Sequence, residues 1–148
     1  MKSACLAEIR APKPGNVSIY SAGYGMTAQQ FEASANAIIA PLTVPGASVG
    51  ERILRAVQAT QTEVGCNTNL GIVLLAAPLL CAAQQEVNSC ELRLRARRVL
   101  EQLTQQDAEL AYAAIRLAKP AGLGSSARHD ISERPQVKIG RASCRERV

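Results

Sequence analysis

An almost wholly apolar stretch occupies the middle of the chain: Leu70-Gly71-Ile72-Val73-Leu74-Leu75-Ala76-Ala77-Pro78-Leu79-Leu80-Cys81-Ala82-Ala83. A helix that is apolar on every side is one that other elements surround, so the stretch predicts a central, buried helix over about 69–85. It is shorter than the roughly 20 residues that a membrane span needs. Pro78 lies in its interior and is expected to kink it.

Signals for helix ends lie on both sides of this stretch. Capping boxes are recognisable at Thr27–Gln30, Ser48–Glu51 and Thr104–Asp107, where each predicts the start of a helix. Pro41 and the Pro45-Gly46 pair are expected to end the first of these helices, and Gly65 the second. No segment alternates with a period of two, and Ala and Leu supply most of the apolar residues. The sequence therefore predicts an all-α, multi-helix single domain of about six helices, incomplete at its C-terminus.

Composition excludes several classes of function. The 148 residues carry a formal net charge of +5, but the arginines lack interleaved aromatic residues for base stacking, so we expect no nucleic-acid partner. The N-terminus lacks the layout of a signal peptide, which favours a cytoplasmic protein without a membrane partner. The five cysteines show no metal-ligand spacing and are expected to be reduced thiols.

The last ten residues, from Ile139 to Val148, match a translation of a common sequencing adapter. We therefore expect residues 138–148 to be non-native. Residues 1–137 are then expected to be the N-terminal part of a longer all-helical domain, a part that is inactive alone and leaves apolar helix faces uncovered.

Two loops concentrate turn residues and hydrogen-bonding side chains at predicted helix ends. The first is Pro12-Lys13-Pro14-Gly15-Asn16-Val17, with Glu8 shortly before it, and the second is Gly65-Cys66-Asn67-Thr68-Asn69-Leu70-Gly71. Helix N-termini carry unpaired N–H groups and a partial positive charge, which suit phosphate ligands. The two loops indicate a nucleotide-type site.

These motifs, with Met26, Phe31 and Ser34 between them, resemble the triphosphoribosyl-dephospho-CoA synthase family over most of residues 4–137. The resemblance implies an all-helical transferase of cofactor biosynthesis that joins ATP to 3′-dephospho-CoA. A ribose hydroxyl of the acceptor attacks the anomeric carbon of ATP, adenine leaves, and the triphosphate stays attached. ATP, as substrate, and Mg²⁺ are the expected cofactors, and the expected partners are small-molecule substrates.

The resemblance also implies roles for individual residues. Glu8 is a candidate general base, or positions Mg²⁺ through water. His129 and Asp130 supply the only imidazole and a nearby carboxylate, and are further catalytic candidates. No metal ligand set is identified.

The nucleotide or phosphate contacts that the resemblance implies fall in the two loops. Lys13 is the natural phosphate contact, supported by the backbone of Gly15 and Asn16. At the start of the apolar helix, phosphate or ribose is held by the group Asn67, Thr68, Asn69 and Gly71. A plainer alternative remains open, in which Asn67 and Thr68 only cap the helix and Lys13 is a surface charge.

This chain departs from the family pattern at two places. Typical members carry His-x-Asp-Met where this chain has Gly23-Tyr24-Gly25-Met26, and Asn-Thr-His-Lys-Gly where it has Asn67-Thr68-Asn69-Leu70-Gly71. The departures leave alternatives open: a nucleotide-dependent enzyme of another cofactor pathway, such as one for a pterin-type C1 carrier; phosphoryl transfer or hydrolysis at the same site; or a non-catalytic helical binding module.

Overall fold

A computed structural model describes residues 2–11, 17–20, 25–85, 91–126 and 129–139. Within these ranges the chain forms seven helices and no strand, which confirms the all-α prediction. The helices are α1 (Lys2–Arg10), α2 (Ala28–Ala37), α3 (Ile39–Thr43), α4 (Val49–Val64), α5 (Leu70–Gln84), α6 (Leu92–Gln102) and α7 (Gln105–Ala118).

One predicted helix is divided into α2 and α3. The sequence predicts that Pro41 and the Pro45-Gly46 pair end this helix. It does end at Thr43, before Pro45, but α3 continues through Pro41 and the interruption lies at Ile38. Proline has no N–H to donate to the carbonyl four residues earlier, and its ring crowds that carbonyl. The disturbance therefore falls on the turn that precedes Pro41 rather than on Pro41 itself.

The three predicted capping boxes are all present. In each box the N-cap hydroxyl accepts a hydrogen bond from the third helical N–H, at 3.3 Å for Thr27, 3.2 Å for Ser48 and 3.1 Å for Thr104. The third residue returns a bond to the N-cap N–H in every case. Gly65 ends α4 with a φ of 67°, as its prediction as a C-terminal cap requires.

The central helix is α4, which packs against α2, α3, α5 and α7. Its buried residues recur at helical spacing: Val49, Gly50, Arg52, Ile53, Ala56, Val57 and Thr60. The expectation that the apolar helix, α5, would be surrounded is wrong. Leu75 is 73% and Leu79 is 48% exposed, although α5 packs against α3, α4, α6 and α7. Apolarity on every side of a helix does not determine which of its residues the neighbouring helices cover.

Helices α4 and α7 approach closely at Gly50. A methyl group at this position would lie 2.6 Å from the Cα of Asp107 and 2.8 Å from its carbonyl oxygen. The N–H of Gly50 donates to Asp107 Oδ1 at 2.8 Å, while Thr104 donates its N–H and its hydroxyl to Oδ2. Burial raises the pKa of Asp107, but these hydrogen bonds outweigh it and hold the pKa below its usual value.

A second buried charge, Arg52, ties three parts of the chain together. Its guanidinium donates to the carbonyls of Leu42 and Ala47 and to the side chain of Gln84, at 2.5, 2.9 and 2.6 Å. Arg52 is 2% exposed. The side chain thereby joins α3, the loop before α4 and the end of α5.

The segment 129–139 runs back over α6 and α7. Gln105 donates to the carbonyl of Pro135, Arg134 pairs with Glu109 at 2.7 Å, and Lys138 donates to the carbonyl of Glu101. Ile139 packs against the core. The remaining residues of the predicted non-native tail, 140–148, lie outside the described residues. None of the described helices combines the length and apolarity of a membrane span.

Candidate functional site

A cavity of about 390 Å³ opens where α1, α2 and the start of α5 meet. Its wall combines polar groups with apolar surface and a single aromatic ring. The lining residues are Glu8, Val17, Met26, Phe31, Asn67, Thr68, Asn69, Leu70, Gly71, Ile72 and Pro120. The cavity therefore brings Glu8, from the first predicted motif, together with most of the second predicted loop.

Local structure explains why these residues meet. The segment 17–20 returns alongside α1, because the N–H of Ile19 donates to the carbonyl of Ile9 at 2.9 Å, and Val17 is buried there. Helix α1 packs on α2, so that Glu8 and Phe31 face the same opening. Gly65 ends α4 in the left-handed conformation and turns the chain toward the start of α5.

A hydroxyl of α2, that of Ser34, organises the polar side of the cavity. Ser34 Oγ donates to the carbonyl of Phe31 at 3.0 Å and accepts from Thr68 Oγ1 at 2.6 Å and Asn69 Nδ2 at 2.5 Å. Ser34 is fully buried. These bonds hold the Asn67–Gly71 turn against α2.

The amide of Asn69 has one partner and not two. Asn69 is 2% exposed, and its Oδ1 has no hydrogen-bond donor. Leaving a buried acceptor unsatisfied costs about 1–3 kcal/mol. Arg52, Thr60 and Asp107, which are also buried, have hydrogen-bond partners. A second buried atom without a partner among the described residues is Arg95 Nε on α6, but only Asn69 is among the residues that line the first cavity.

The first turn of α5 also leaves backbone donors open. The N-cap of α5 is Asn69, whose side chain makes no capping bond, so the prediction that Asn67 or Thr68 caps this helix is wrong. Asn67 Oδ1 does accept from the N–H of Leu70, at 3.3 Å. The carbonyl of Asn69 accepts the first bond within the helix, from Val73. For the N–H groups of Gly71 and Ile72 there is no acceptor among the described residues. Such groups form an electropositive helix end.

A second cavity, of about 750 Å³, adjoins the first and shares Met26, Asn67 and Pro120 with it. Its other walls come from the ends of α4 and α7 and from the loop after α7. Of the described residues that line it, Lys119 is the one cation and Cys66 the one with a thiol. Lys119 is also the C-cap of α7, with a φ of 45°.

Five of the ten residues selected from the sequence line the first cavity: Glu8, Asn67, Thr68, Asn69 and Gly71. The other three residues of the predicted nucleotide site, Lys13, Gly15 and Asn16, lie outside the described residues. The cavity thus unites parts of the two motifs that lie some 60 positions apart in the sequence.

The remaining two candidates, His129 and Asp130, do not line this cavity. The carbonyl of His129 accepts from the hydroxyl of Tyr112 at 3.1 Å. The carboxylate of Asp130 accepts from the N–H of Ser126 and from the N–H and hydroxyl of Ser132, at 2.7, 2.8 and 2.6 Å. The Ser132 hydroxyl is the main reason why the pKa of Asp130 falls to about 2. The groups around Asp130 are those of a loop-stabilising carboxylate.

Ser34 and Phe31 are site residues that were not selected from the sequence. A signal for Ser34 exists, because it lies on the apolar side of α2 beside Phe31, Ala35 and Ile38. A polar residue in a predicted core face needs partners. Its partners come from 34 and 35 positions further along the chain, and no local pattern identifies them.

Among the described residues that line the first cavity, Glu8 is the one acidic residue, and none is a lysine, arginine or histidine. Within the described ranges, no cluster of three or more His, Cys, Asp or Glu is placed to hold a metal ion. The oxygen atoms of Glu8, Asn67 and Asn69 are nevertheless hard donors of the kind that Mg²⁺ accepts beside substrate phosphates.

Comparison with known proteins gives one match. The model of the ATP:dephospho-CoA triphosphoribosyl transferase family, CitG, matches residues 1–147. Searches of curated proteins and of solved structures gave no significant match.

Proposed function

The chain belongs to the ATP:dephospho-CoA triphosphoribosyl transferase family, and from this premise we propose that it transfers the triphosphoribosyl group of ATP to a dephospho-CoA-like acceptor with release of adenine. Membership implies a transferase of cofactor biosynthesis that uses ATP. The proposal also includes that adenine is the leaving group, that the acceptor resembles dephospho-CoA, and that the protein is cytoplasmic.

The observation that carries the proposal is the meeting of Glu8 with the Asn67–Gly71 turn in one cavity. The reaction needs a base beside the attacking hydroxyl and donors around the nucleotide. Glu8 supplies a carboxylate, and the first turn of α5 supplies backbone N–H groups. Phe31 and Met26 add an apolar surface suited to a nucleobase.

In the proposed reaction the acceptor hydroxyl loses its proton to Glu8. Its oxygen forms a bond to the anomeric carbon of ATP as the bond from that carbon to adenine breaks. The departing base takes up a proton from solvent, Glu8 afterwards returns its proton to solvent, and the transition state resembles an oxocarbenium ion. A carboxylate next to the anomeric carbon also stabilises positive charge that develops there.

We propose that the first predicted loop binds the triphosphate. Lys13, with the backbone of Gly15 and Asn16, keeps its predicted role as the phosphate contact. Mg²⁺ would enter bound to ATP, where it neutralises phosphate charge, and Glu8 would contact it through water as the alternative to its role as base. A catalytic role for His129 and Asp130 stays a prediction.

We propose the second cavity for the other substrate. A transferase needs two substrates whose reacting atoms meet, and the two cavities share the wall formed by Met26, Asn67 and Pro120. The second cavity is the larger, and Lys119 is available there for a phosphate of the acceptor.

The proposed reaction is tested by incubating the full-length protein with ATP, Mg²⁺ and 3′-dephospho-CoA and measuring free adenine and the mass of the acceptor. We expect adenine in proportion to an acceptor that has gained the triphosphoribosyl group. Glu8→Gln should lower kcat about 100-fold, the lower end of the range for general-base catalysis. Glu63→Gln, an exposed glutamate that lines neither cavity, is the matched control.

Other products would contradict the proposal. ADP or pyrophosphate without free adenine would indicate phosphoryl transfer or hydrolysis. An adduct with a pterin-type acceptor, and none with dephospho-CoA, would place the chain in another cofactor pathway. Failure to bind any nucleotide in calorimetry would favour a non-catalytic helical module.

A further inference from the structure

The amide of Asn69 has a hydrogen-bond partner on one side only. Ser34 Oγ donates to the carbonyl of Phe31 and accepts from Asn69 Nδ2 at 2.5 Å. Thr68 donates to the same oxygen at 2.6 Å. In this arrangement Asn69 Oδ1 is the atom without a partner.

The open groups around Asn69 are of two kinds. Oδ1 is an acceptor that needs a donor, whereas the N–H groups of Gly71 and Ile72 are donors without an acceptor among the described residues. A methyl group built on Gly71 would meet nothing within 4 Å, so space is available beside this turn. A ligand group that carries a donor next to an acceptor satisfies both kinds at once.

A bare phosphate does not meet this description. Its oxygen atoms are acceptors at neutral pH and would face Asn69 Oδ1 without a hydrogen between them. None of the described residues that line the first cavity is a cation, and Glu8 contributes a carboxyl group to it. By contrast, a nucleoside offers amino and hydroxyl donors beside ring-nitrogen and hydroxyl acceptors, and its base can lie against Phe31.

We infer that Asn69 Oδ1 accepts a hydrogen bond from the nucleoside part of ATP, while the first turn of α5 donates to an acceptor of the same part. The donor is the amino group of adenine or a ribose hydroxyl. Asn69 is then a specificity-determining residue that recognises the nucleoside and not the triphosphate. This inference rests on the proposed function, because it takes ATP to be the nucleotide in the cavity.

The test measures binding to the full chain by calorimetry, with adenosine, ATP and inorganic tripolyphosphate as separate probes. Asn69→Leu replaces the amide with an apolar side chain of similar size. We expect it to weaken adenosine and ATP about tenfold, the effect of one hydrogen bond, and to leave tripolyphosphate unchanged. Asn36→Leu, on an exposed position of α2, is the matched control and should leave all three affinities unchanged.

Nucleoside analogues identify which group of adenosine donates the hydrogen bond to Asn69. Purine riboside lacks the amino group, and 2′-deoxyadenosine and 3′-deoxyadenosine each lack one hydroxyl. The analogue that lacks the recognised donor should bind the wild-type chain about tenfold more weakly than adenosine does, and should bind Asn69→Leu with no additional loss. The other analogues should still lose affinity on this substitution.

Thermal unfolding distinguishes recognition from a structural role. Asn69→Leu removes an unsatisfied buried acceptor, and Ser34 keeps Thr68 as its donor, so the melting temperature should stay level or rise. Asn69→Asp retains an acceptor and should bind adenosine more tightly than Asn69→Leu does. It keeps the inference testable if the leucine variant fails to fold.

Several results would overturn the inference. One is an Asn69→Leu variant that binds adenosine as tightly as the wild-type chain, and another is a wild-type chain that binds ATP and tripolyphosphate but not adenosine. A variant that melts lower without losing affinity would make Asn69 structural. These differ from failure of the proposed function, in which the wild-type chain binds no nucleotide or releases ADP in place of adenine.

Discussion

The first turns of α4 and α5 have similar sequences but differ in hydrogen bonding and in packing. Both helices have glycine as their second residue, Gly50 in α4 and Gly71 in α5. At α4 the N–H of Gly50 donates to Asp107, and the neighbouring backbone leaves no space for a Cβ. At α5 the N–H of Gly71 has no acceptor among the described residues, a Cβ there would meet nothing within 4 Å, and Asn69 Oδ1 has no partner. One helix start serves packing, and the other is left available for a ligand.

The largest effect should come from the glycine of the packed helix start. Gly50→Ala places a methyl group against the Asp107 backbone, which cannot move without separating α4 from α7. We expect unfolding by urea to report a loss of about 3 kcal/mol, the upper range for overpacking. Gly71→Ala is the matched control, and should be neutral or stabilise by up to about 1 kcal/mol, because alanine is the better helix former. Equal losses at both positions would abolish the comparison.

A smaller loss is expected when Asp107 becomes asparagine. Asp107→Asn can still accept from Gly50, but its second polar atom becomes a donor that faces the N–H and hydroxyl of Thr104. We expect a loss of about 2 kcal/mol at pH 7, typical of hydrogen bonds to a charged group. Thr104 itself stays unchanged in this variant.

The pH dependence of this loss has a definite sign. The pKa of Asp107 is lower in the folded chain than its usual value of 3.8. Its stabilisation is therefore present above pH 3.8 and is lost as the pH falls through the folded pKa. The difference between the wild-type chain and Asp107→Asn should be constant from pH 7 to about 5 and shrink below pH 4. A difference that grows on acidification would contradict this account.

The smallest of these losses is expected on the α5 side. Ser34→Ala removes the acceptor shared by Thr68 and Asn69 and leaves a buried amide donor unsatisfied. We expect a loss of about 1.5 kcal/mol in urea unfolding. Thr43→Ala, which removes an exposed hydroxyl bonded only to carbonyls of its own helix, should cost less than about 0.5 kcal/mol. Equal costs for the two would mean that Ser34 does not organise the turn.

How much of the fold could be predicted from the sequence depends on how far apart in the chain the interacting residues lie. The boxes at Thr27, Ser48 and Thr104 depend on residues three positions apart, and all three predictions are confirmed. The prediction that α5 is buried on all sides is wrong, because Leu75 is largely exposed. Burial of this helix depends on which other helices pack against it. Composition identifies an apolar helix but does not identify its neighbours.

The candidate site follows the same rule. The motifs at Glu8 and at Asn67–Gly71 were recognisable along the chain, and the structure places both in one cavity. The role of Ser34 was not predictable, because its bonds to Thr68 and Asn69 join residues 34 and 35 positions apart. The open state of Asn69 Oδ1 could not be predicted either, since it depends on which atoms remain unpaired after packing.

The bond between Gly50 and Asp107 has a consequence for the order in which the chain folds. It joins residues 57 positions apart, so its formation closes a long loop, whereas α2 and α3 or α5 and α6 meet over short connections. Closing a longer loop costs more conformational entropy, and contacts of high sequence separation slow folding. Docking of α7 on α4 should therefore complete folding rather than begin it. Damage to this late contact would act mainly by speeding unfolding, and so would shorten the lifetime of the folded chain more than it delays its formation.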